Sequence, residues 1–346
     1  MKTLKNFNFS EKRVLVRCDF NVPLGDNNQI SDDFRIKKTL PTIEYLIKER
    51  ARVILMSHLG DPKGKMAENL RLKPVKERLN KYLKKDVSMA SDCVGEAVEK
   101  MVAKMDEGDI LLLENLRFNP GEESNDEEFA KNLAKLADIY INDAFGTCHR
   151  QHASMVGVPK FLASGVGLLL EKEIKVLSDF MKKPKKPVVA IIGGKKVETK
   201  SALIDRISEI ADFILIGGLL EKEIKTENIK LKYPEKILGP IDETGGGKDI
   251  GSGTRSLFGE KIKKAKTVFW NGPLGLTEEE QFQAGTKAVA QAIIESRAFS
   301  IVGGGETVDF LNQLGLADKF SHVSTGGGAM LSFLSGETLP ALEILK

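Results

Sequence analysis

The chain has 346 residues, 41% of them hydrophobic and 29% charged, which is typical of a folded globular protein and excludes a largely disordered chain. A single core stops growing near about 250–300 residues, so this length predicts two domains. The 52 basic and 49 acidic residues are spread evenly along the sequence. This balance argues against a dedicated nucleic-acid-binding protein.

The sequence shows neither a membrane segment nor an export signal. Its most apolar run, 161–170, is too short to cross a bilayer. The polar start MKTLKNFNFSEKR contains no apolar stretch or cleavage pattern. The three cysteines, Cys18, Cys93 and Cys148, are far apart, as expected for free thiols in a reducing compartment. We therefore expect a cytoplasmic protein.

Short apolar runs rich in β-branched residues recur along the chain and predict β-strands. Because the runs are continuous rather than alternating, they are typical of strands buried on both faces, as in a parallel sheet. In chain order, the predicted strands are 13–18, 52–56, 110–113, 139–141, 187–192, 213–216, 267–270, 299–302 and 322–324.

Segments with helical periodicity lie between most of these strands, and they predict an α/β fold with mostly parallel, doubly wound sheets. The helix at 168–180 is followed by Lys-Lys-Pro-Lys-Lys-Pro, which cannot continue a helix, so we place the domain boundary there. The glycine-rich stretch 244–253 is predicted to be a mobile loop. The predicted helices are 36–49, 74–84, 127–136, 168–180, 200–210 and 281–296.

Polar and charged side chains follow the predicted strands of the first half, where an open α/β sheet binds its ligands. Arginines placed after buried strands need an anionic partner, because an unpaired guanidinium is costly to bury; a surface position is the alternative for each. The histidines lack Cys, Asp or Glu at zinc-ligand spacing, which favours phosphate or carboxylate binding over a metal site. The side chains are Asp19, Asn21, His58, Arg117, His149, Arg150 and His152.

Glycine-rich loops follow the predicted strands of the second half. A lone glycine pair is usually a tight turn, but the loop 326–328 leads directly into a helix start, where amides and the helix dipole attract anions. Neither a Walker A nor a G-x-G-x-x-G sequence is present. One half thus suits a small anionic molecule and the other a polyphosphate, which suggests phosphoryl transfer between them. The loops are 193–196, 217–218, 271–273, 303–306 and 325–328.

Taken in order, these motifs resemble the phosphoglycerate kinase family over nearly the whole chain. The resemblance implies two Rossmann-like lobes with doubly wound parallel sheets, joined by an interdomain helix. It also implies a monomeric, glycolytic enzyme that transfers a phosphoryl group between 1,3-bisphosphoglycerate and ADP, giving 3-phosphoglycerate and MgATP. The motifs are RVLVRCDFNVPL (13–24), SHLG (57–60), LENLRF (113–118), NDAFGTCHR (142–150), GGKKVETK (193–200), WNGP (270–273), GGGET (303–307) and STGGGA (324–329).

The resemblance also implies boundaries and residue roles. The N-terminal lobe is expected at 1–165 with 331–346 packed back on it, the hinge at 166–183, and the nucleotide lobe at 184–330. Phosphoglycerate is expected to contact Asp19, Asn21, Arg35, His58, Arg117 and Arg150. The nucleotide is expected to contact Lys196, Lys200, Asn271, Glu278, Gly304, Gly305, Glu306 and Thr307, with Glu306 also meeting Mg²⁺. The residues expected to act on the moving phosphoryl group are Arg35, Lys196, Gly327 and Gly328.

These roles are consistent with the chemistry. In-line transfer needs alignment and positive charge rather than a protein nucleophile. Arg35 and Lys196 can supply that charge together only if the lobes close, which would also exclude water.

The sequence departs from the family pattern at several places. Asp61 stands where the family has Arg, Glu306 replaces an Asp, and Thr277 replaces an aromatic residue. The nucleotide lobe is short: after 217–218 a charged stretch is expected to replace the usual helix, and the chain reaches 249–251 without the intervening strand and helix. We therefore expect weakened nucleotide binding. A second hypothesis stays open, namely a catalytically impaired relative that binds a ligand or a partner without turnover.

Overall fold

The computed structural model describes residues 1–194, 197 and 200–346, and these residues form two compact units. Unit 1 comprises Met1–Ile174 and Thr338–Lys346, and unit 2 comprises Lys175–Glu337. Within the part of the chain that the structure describes, no helix combines the length and apolar character that crossing a membrane requires.

Unit 1 contains a six-stranded parallel sheet with the strand order β3-β4-β2-β1-β5-β6. Its central strands are buried on both faces, as their continuous apolar sequences predict. The register pairs Val14 with Val53 on one side of β1 and with Ile139 on the other. In chain order, β1 to β6 are Arg13–Arg17, Arg52–Met56, Ser88–Met89, Ile110–Leu112, Ile139–Asn142 and Ala163–Val166.

The helices of unit 1 bury apolar stripes against this sheet. In α5, for example, the carboxylate of Asp126 caps the first turn by accepting from the Phe129 amide at 2.7 Å, and Phe129 and Leu133 are buried. Helix α6 begins in unit 1 and continues past its boundary. The helices are α1 Phe34–Lys48, α2 Lys73–Leu83, α3 Glu96–Ala103, α4 Pro120–Glu123, α5 Glu127–Ala134 and α6 Leu168–Lys182, with α13 Pro340–Glu343 at the C-terminus.

Unit 2 contains a second parallel sheet, with the order β14-β13-β12-β7-β8-β9 among its described strands, and a separate antiparallel hairpin, β10-β11. The central strands β7 and β12 are entirely buried. The strands are β7 Val188–Ile192, β8 Phe213–Ile216, β9 Ile237–Leu238, β10 Glu243–Thr244, β11 Asp249–Ile250, β12 Thr267–Asn271, β13 Phe299–Gly303 and β14 His322–Val323.

The helices of unit 2 follow its strands, and three of the described ones begin at the predicted glycine loops. These are α8, which follows Gly217, α11, which follows Gly304, and α12, which follows Gly327. The described helices are α7 Ser201–Ser208, α8 Gly218–Thr226, α9 Ser252–Lys264, α10 Ala284–Ser296, α11 Gly305–Gln313 and α12 Gly328–Ser335.

The predicted α/β class with two parallel sheets is confirmed, but two predictions about unit 2 are wrong. The segment after Gly217 is the helix α8, which buries Leu220 and carries a Glu221–Lys225 ion pair of 2.8 Å one helical turn apart. The chain between α8 and the hairpin also supplies a strand, β9, which pairs with β8.

The second error concerns the glycine-rich stretch predicted as a mobile loop. Its ends pair as β10 and β11, with Thr244 opposite Asp249, and its last residues open α9. The carboxylate of Asp242 fixes that helix start by accepting from the amides of Gly253 and Thr254. The prediction from glycine content alone is therefore wrong. The residues on both sides of the turn pair as strands, and Asp242 caps the helix that follows.

Candidate active site

The sheet of unit 1 brings the ends of four predicted strands to one edge. Strands β4, β2, β1 and β5 are neighbours and run parallel, so the residues that follow them collect at their carboxyl ends. Arg35 joins this edge from the first turn of α1. The strand-end residues are Asp19 and Asn21 after β1, His58 after β2, Arg117 after β4 and Arg150 after β5.

Asp19, Asn21 and Arg35 form one hydrogen-bonded group. The Arg35 guanidinium Nη1 lies 3.1 Å from Asp19 Oδ1 and donates to the Asn21 carbonyl at 3.1 Å. The Asn21 side chain accepts from the Gly60 amide at 2.8 Å. Asp19 is buried while Arg35 is partly exposed. Asp19 and Asn21 therefore orient Arg35 from its buried side, and its other N–H groups stay available to an anion.

Arg117 is half-buried beside this group. Its Nη1 donates to the Gly60 carbonyl at 2.8 Å, and its Nε lies 3.1 Å from Glu123 Oε1. Burial lowers the pKa of Arg117, whereas the carboxylates of Glu123 and Asp61 raise it. Asp61 is exposed and interacts with Arg117, so the acidic departure from the family pattern lies at this site.

Two histidines complete the basic cluster and are held neutral. Burial and the neighbouring arginines lower the pKa of His58 well below its ordinary value. The same causes, with Arg117 as the main charge, lower the pKa of His152 to about 4. Arg150 is exposed and contributes to the field at both His152 and Arg117. The cluster carries its positive charge on arginines, and the histidines serve as neutral hydrogen-bonding groups.

Unit 2 contains a cavity of about 470 Å³ at the ends of its strands, a volume that suits a small organic ligand. Apolar residues line part of it and charged residues line the rest. The lining residues are Gly194, Lys200, Gly217, Gly218, Leu219, Gly247, Lys248, Pro273, Leu274, Gly275, Leu276, Glu278 and Glu306.

Two buried polar atoms near the start of α11 have no hydrogen-bond partner among the described residues. They are Asn271 Nδ2 and Thr307 Oγ1. Asn271 Nδ2 lies only 3.0 Å from the point where a side chain on Gly304 would begin, so it reaches the backbone that leads into the helix. Unpaired buried donors are costly. Together with the helix dipole, they make this helix start suited to an anionic ligand.

Besides Lys248 of the hairpin, the charged side chains that line the cavity are Lys200, Glu306 and Glu278. Lys200, directly before α7, is buried and donates to the Gly193 carbonyl. Burial lowers its pKa, an effect that the carboxylates of Glu306 and Glu223 oppose. Glu306 in the first turn of α11 and Glu278 after β12 are exposed at the cavity. Lys196, the other predicted lysine, lies outside the described residues.

The hairpin β10–β11 supplies one wall of the cavity, through Gly247 and Lys248. Lys222 of α8 holds its turn, since Lys222 Nζ lies 2.7 Å from Glu243 Oε2 and donates to the Gly246 carbonyl at 3.2 Å. The other side of the hairpin is fixed by the Leu276 amide, which donates to the Lys248 carbonyl at 2.9 Å. The stretch expected to lack a helix and a strand therefore supplies part of the cavity lining, through α8 and the hairpin.

The turn of this hairpin is built from backbone rather than side chains. Gly245, Gly246 and Gly247 have φ values of +59°, +69° and +96°, which residues with a Cβ seldom adopt. A Cβ on Gly245 would meet the Phe282 ring at 2.3 Å, and one on Gly247 would meet Lys222 Nζ at 2.2 Å.

Comparison with known proteins identifies the family of this fold and site. The sequence model described as phosphoglycerate kinase matches residues 4–230 and 220–337. The chain belongs to the phosphoglycerate kinase family. The two matched ranges overlap at 220–230, within and after α8. This is where the sequence indicates that the nucleotide lobe is short.

Individual phosphoglycerate kinases are similar over their full length. The enzyme of Pelotomaculum thermopropionicum is 42% identical, with 99% of this chain and 98% of its own covered. That of Dictyoglomus turgidum is 44% identical with the same coverage. The crystal structure of phosphoglycerate kinase from Pyrococcus horikoshii has a TM-score of 0.89 at 31% identity and covers 100% of this chain and 98% of its own. The Pelotomaculum alignment spans 388 positions, 42 more than this chain has residues.

Three residues that matter to these sites were not singled out from the sequence. Arg17 is the last residue of β1, and its Nη2 lies 3.3 Å from His58 Nδ1. Glu122 in α4 has its Oε1 3.9 Å from the same Arg17 nitrogen. Lys248 lines the cavity. A charged residue at the end of an apolar strand was the available signal for Arg17. Nothing in the local sequence indicates the partners of Glu122 or Lys248.

Proposed function

We propose that the protein is a phosphoglycerate kinase, a phosphotransferase that moves a phosphoryl group reversibly between 1,3-bisphosphoglycerate and ADP, giving 3-phosphoglycerate and ATP. The observation that carries the proposal is the full-length similarity to proteins of that name, at 42% to 44% identity. The pairing of a basic cluster in unit 1 with a ligand-sized cavity in unit 2 supports it.

The phosphoglycerate site is assigned to unit 1. Arg35 and Arg117 are each anchored by protein acceptors on one side and would bind the carboxylate and phosphate with their remaining donors. Arg150 adds charge at the exposed rim, and His58 adds a neutral donor. Asp19 and Asn21 orient Arg35 and the Gly60 amide. A substrate with several negative charges would be stabilised here and a neutral one would not.

The nucleotide site is assigned to the cavity of unit 2. Lys200 and the amides at the starts of α11 and α12 would hold the phosphates, with Asn271 and Thr307 supplying the unpaired groups described above. Glu278 would meet the ribose hydroxyls from the exposed side. The apolar residues Leu219 and Leu276 would pack against the base.

The donor set of the cavity also fits a magnesium ion bound with the nucleotide. Mg²⁺ is commonly held by one or two carboxylates together with substrate phosphates rather than by an all-protein cage. Glu306 is an exposed carboxylate at the helix start where the phosphates would lie. When bound, the ion would neutralise charge on the phosphates.

Turnover needs no protein nucleophile. The carboxyl group of phosphoglycerate and the terminal phosphate of the nucleotide exchange the phosphoryl group in line, and the protein supplies alignment and positive charge. Arg35, Lys196, Gly327 and Gly328 are the residues we assign to the transferring group. The reaction requires both substrates to touch, so the two units must bring their sites together during turnover.

The family membership does not favour the alternative of an inactive ligand- or partner-binding relative. The proposal also includes a cytoplasmic location, which the three buried free cysteines support, and a monomeric state. Its partners would be small molecules only.

A coupled assay with 1,3-bisphosphoglycerate and ADP tests the proposal, with ATP formation as the readout. We expect turnover by the wild type and a loss of about 10²- to 10³-fold on Lys200→Met, since a buried cation at the phosphates is removed. Lys264→Met, at an exposed lysine of α9, is the matched control and should be unchanged. Absence of ATP formation by a folded wild type would exclude this function.

A further inference from the structure

Arg17 lies behind the phosphoglycerate site and distributes its donors among fixed acceptors. Its side chain is fully buried. Nε donates to Ser154 Oγ at 2.7 Å, Nη1 donates to the Cys18 carbonyl, and Nη2 lies 3.3 Å from His58 Nδ1. A guanidinium has five donors and no acceptor, so each of these partners must accept.

A second buried layer holds Arg17 in this orientation. The Glu122 carboxylate, also fully buried, accepts from the Ser154 amide at 3.0 Å and from Ser154 Oγ at 2.6 Å. Tyr140 donates its hydroxyl to the Ser154 carbonyl at 2.8 Å. The serine hydroxyl gives its proton to Glu122 and therefore offers only a lone pair to Arg17. Glu122 Oε1 also lies 3.9 Å from Arg17 Nη2.

This geometry decides which nitrogen of His58 carries the proton. Because Arg17 can only donate, His58 Nδ1 must be the unprotonated nitrogen, and the single proton of the neutral ring must sit on Nε2. We propose that Arg17, oriented by Ser154 and Glu122, is a positioning residue that fixes His58 as the Nε2–H tautomer and so makes it a donor to a substrate anion. The identity of that anion rests on the proposed function.

The surrounding charges favour the same state over a wide pH range. His58 is faced by Arg17, Arg35 and Arg117 and by His152, and burial together with these groups lowers its pKa. A protonated ring would place an N–H against the Arg17 N–H. We therefore expect the contribution of His58 to substrate binding to be constant between pH 6 and 8.

Nitrogen-15 NMR of the wild-type protein, without substrates, measures the tautomer directly. The chain has four histidines, and His58→Gln assigns the signal. We expect an unprotonated Nδ1 and a protonated Nε2 that do not change between pH 6 and 8. A protonated Nδ1, or an imidazolium at pH 7, would overturn the proposal.

One variant tests the positioning role, and a matched pair tests the donor. Ser154→Ala removes the acceptor of Arg17 Nε and should give a mixture of His58 tautomers, with KM for 3-phosphoglycerate raised about tenfold and kcat changed less. Since Arg17 is buried, Arg17→Met can lose the fold, so the wild-type and Ser154→Ala spectra carry the test. An unchanged tautomer and KM in a folded Ser154→Ala protein would remove the positioning role.

The matched pair is His58→Gln and His58→Asn. Glutamine can place an amide near the former Nε2 while its oxygen accepts from Arg17, whereas asparagine reaches only the Nδ1 position. We expect His58→Gln to retain more affinity for 3-phosphoglycerate than His58→Asn, and the reverse order would contradict an Nε2 donor. If the wild type lacked kinase activity, the proposed function would fail, while the tautomer would still be decided by the spectra.

Discussion

Asp143, the residue after β5, is a buried carboxyl group at the start of α6, and its titration gives a sharp prediction. Its Oδ1 accepts from the amides of Leu169 and Leu170 at 2.9 and 3.2 Å, whereas Oδ2 is buried with no partner among the described residues. Burial raises its pKa from 3.8 to about 7, against the opposing effect of hydrogen bonds from Thr42 and the two amides. The folded protein thus holds a proton here that the unfolded chain releases.

The sign and size of the effect follow from this difference in pKa. Between pH 4 and 7 the native state binds more protons than the unfolded state, so the free energy of unfolding falls as pH rises through this window and levels off above pH 7. The slope is about 1.4 kcal/mol per pH unit well below the folded pKa and half of that at pH 7, so the loss between pH 5 and 7 is about 2 kcal/mol. Asp143→Asn keeps the acceptor for Leu169 and Leu170 and does not titrate.

Urea unfolding of the wild type and Asp143→Asn at pH 5, 6, 7 and 8, followed by circular dichroism, measures the difference. We expect the stability of the variant relative to the wild type to grow by about 2 kcal/mol from pH 5 to 7 and then to level off. Trp270, the single tryptophan, lies in unit 2, so its fluorescence follows the unfolding of that unit separately. A difference that is constant from pH 5 to 8 would mean that the hydrogen bonds outweigh burial at Asp143, and would refute the reasoning.

Three further predictions concern the proposed reaction. Lys196→Ala should lower turnover by roughly 10²- to 10³-fold with little effect on 3-phosphoglycerate binding, as steady-state kinetics and calorimetry would reveal; near-normal turnover would remove Lys196 from the mechanism. Asp61→Arg should tighten 3-phosphoglycerate binding, because it removes a negative charge beside Arg117, and the gain should shrink with added salt. Lys248 lines the cavity and its Nζ lies 3.3 Å from Glu279 Oε1; we expect it to exchange this partner for a base oxygen, so that GDP is used appreciably and Lys248→Met raises the ADP:GDP preference about tenfold.

The sequence alone predicted the strands whose own residues form a clear apolar run. Strands such as Val188–Ile192 are continuous apolar runs that can only be buried, and all nine predicted strands are present. Two-residue strands such as Ser88–Met89 and Ile237–Leu238 were missed, since they are too short to show a pattern and exist because a neighbouring strand pairs with them.

The candidate site also contains residues that the sequence predicted and residues that it did not. The predicted phosphoglycerate residues gather at one sheet edge because strand ends can be located from the sequence and parallel strands align them. The role of Arg17 could not be predicted, because its acceptor Ser154 is 137 residues away in the chain. Helix α8 was missed because it begins at a glycine pair and is rich in charged residues, while contacts that stabilise it come from β10 and the hairpin turn.

The three-glycine turn at Gly245–247 restricts how this enzyme can evolve. At each of these three positions a substitution would impose an unfavourable backbone conformation, and at two of them it would also create a clash. Point mutation therefore has little access to this turn at the cavity wall. A change in which base is accepted is therefore expected from side chains elsewhere in the cavity, such as Leu219, Leu276 and Lys248, or from insertions and deletions in the hairpin. Across relatives of this compact form we expect variation in hairpin length rather than in the residues of the turn.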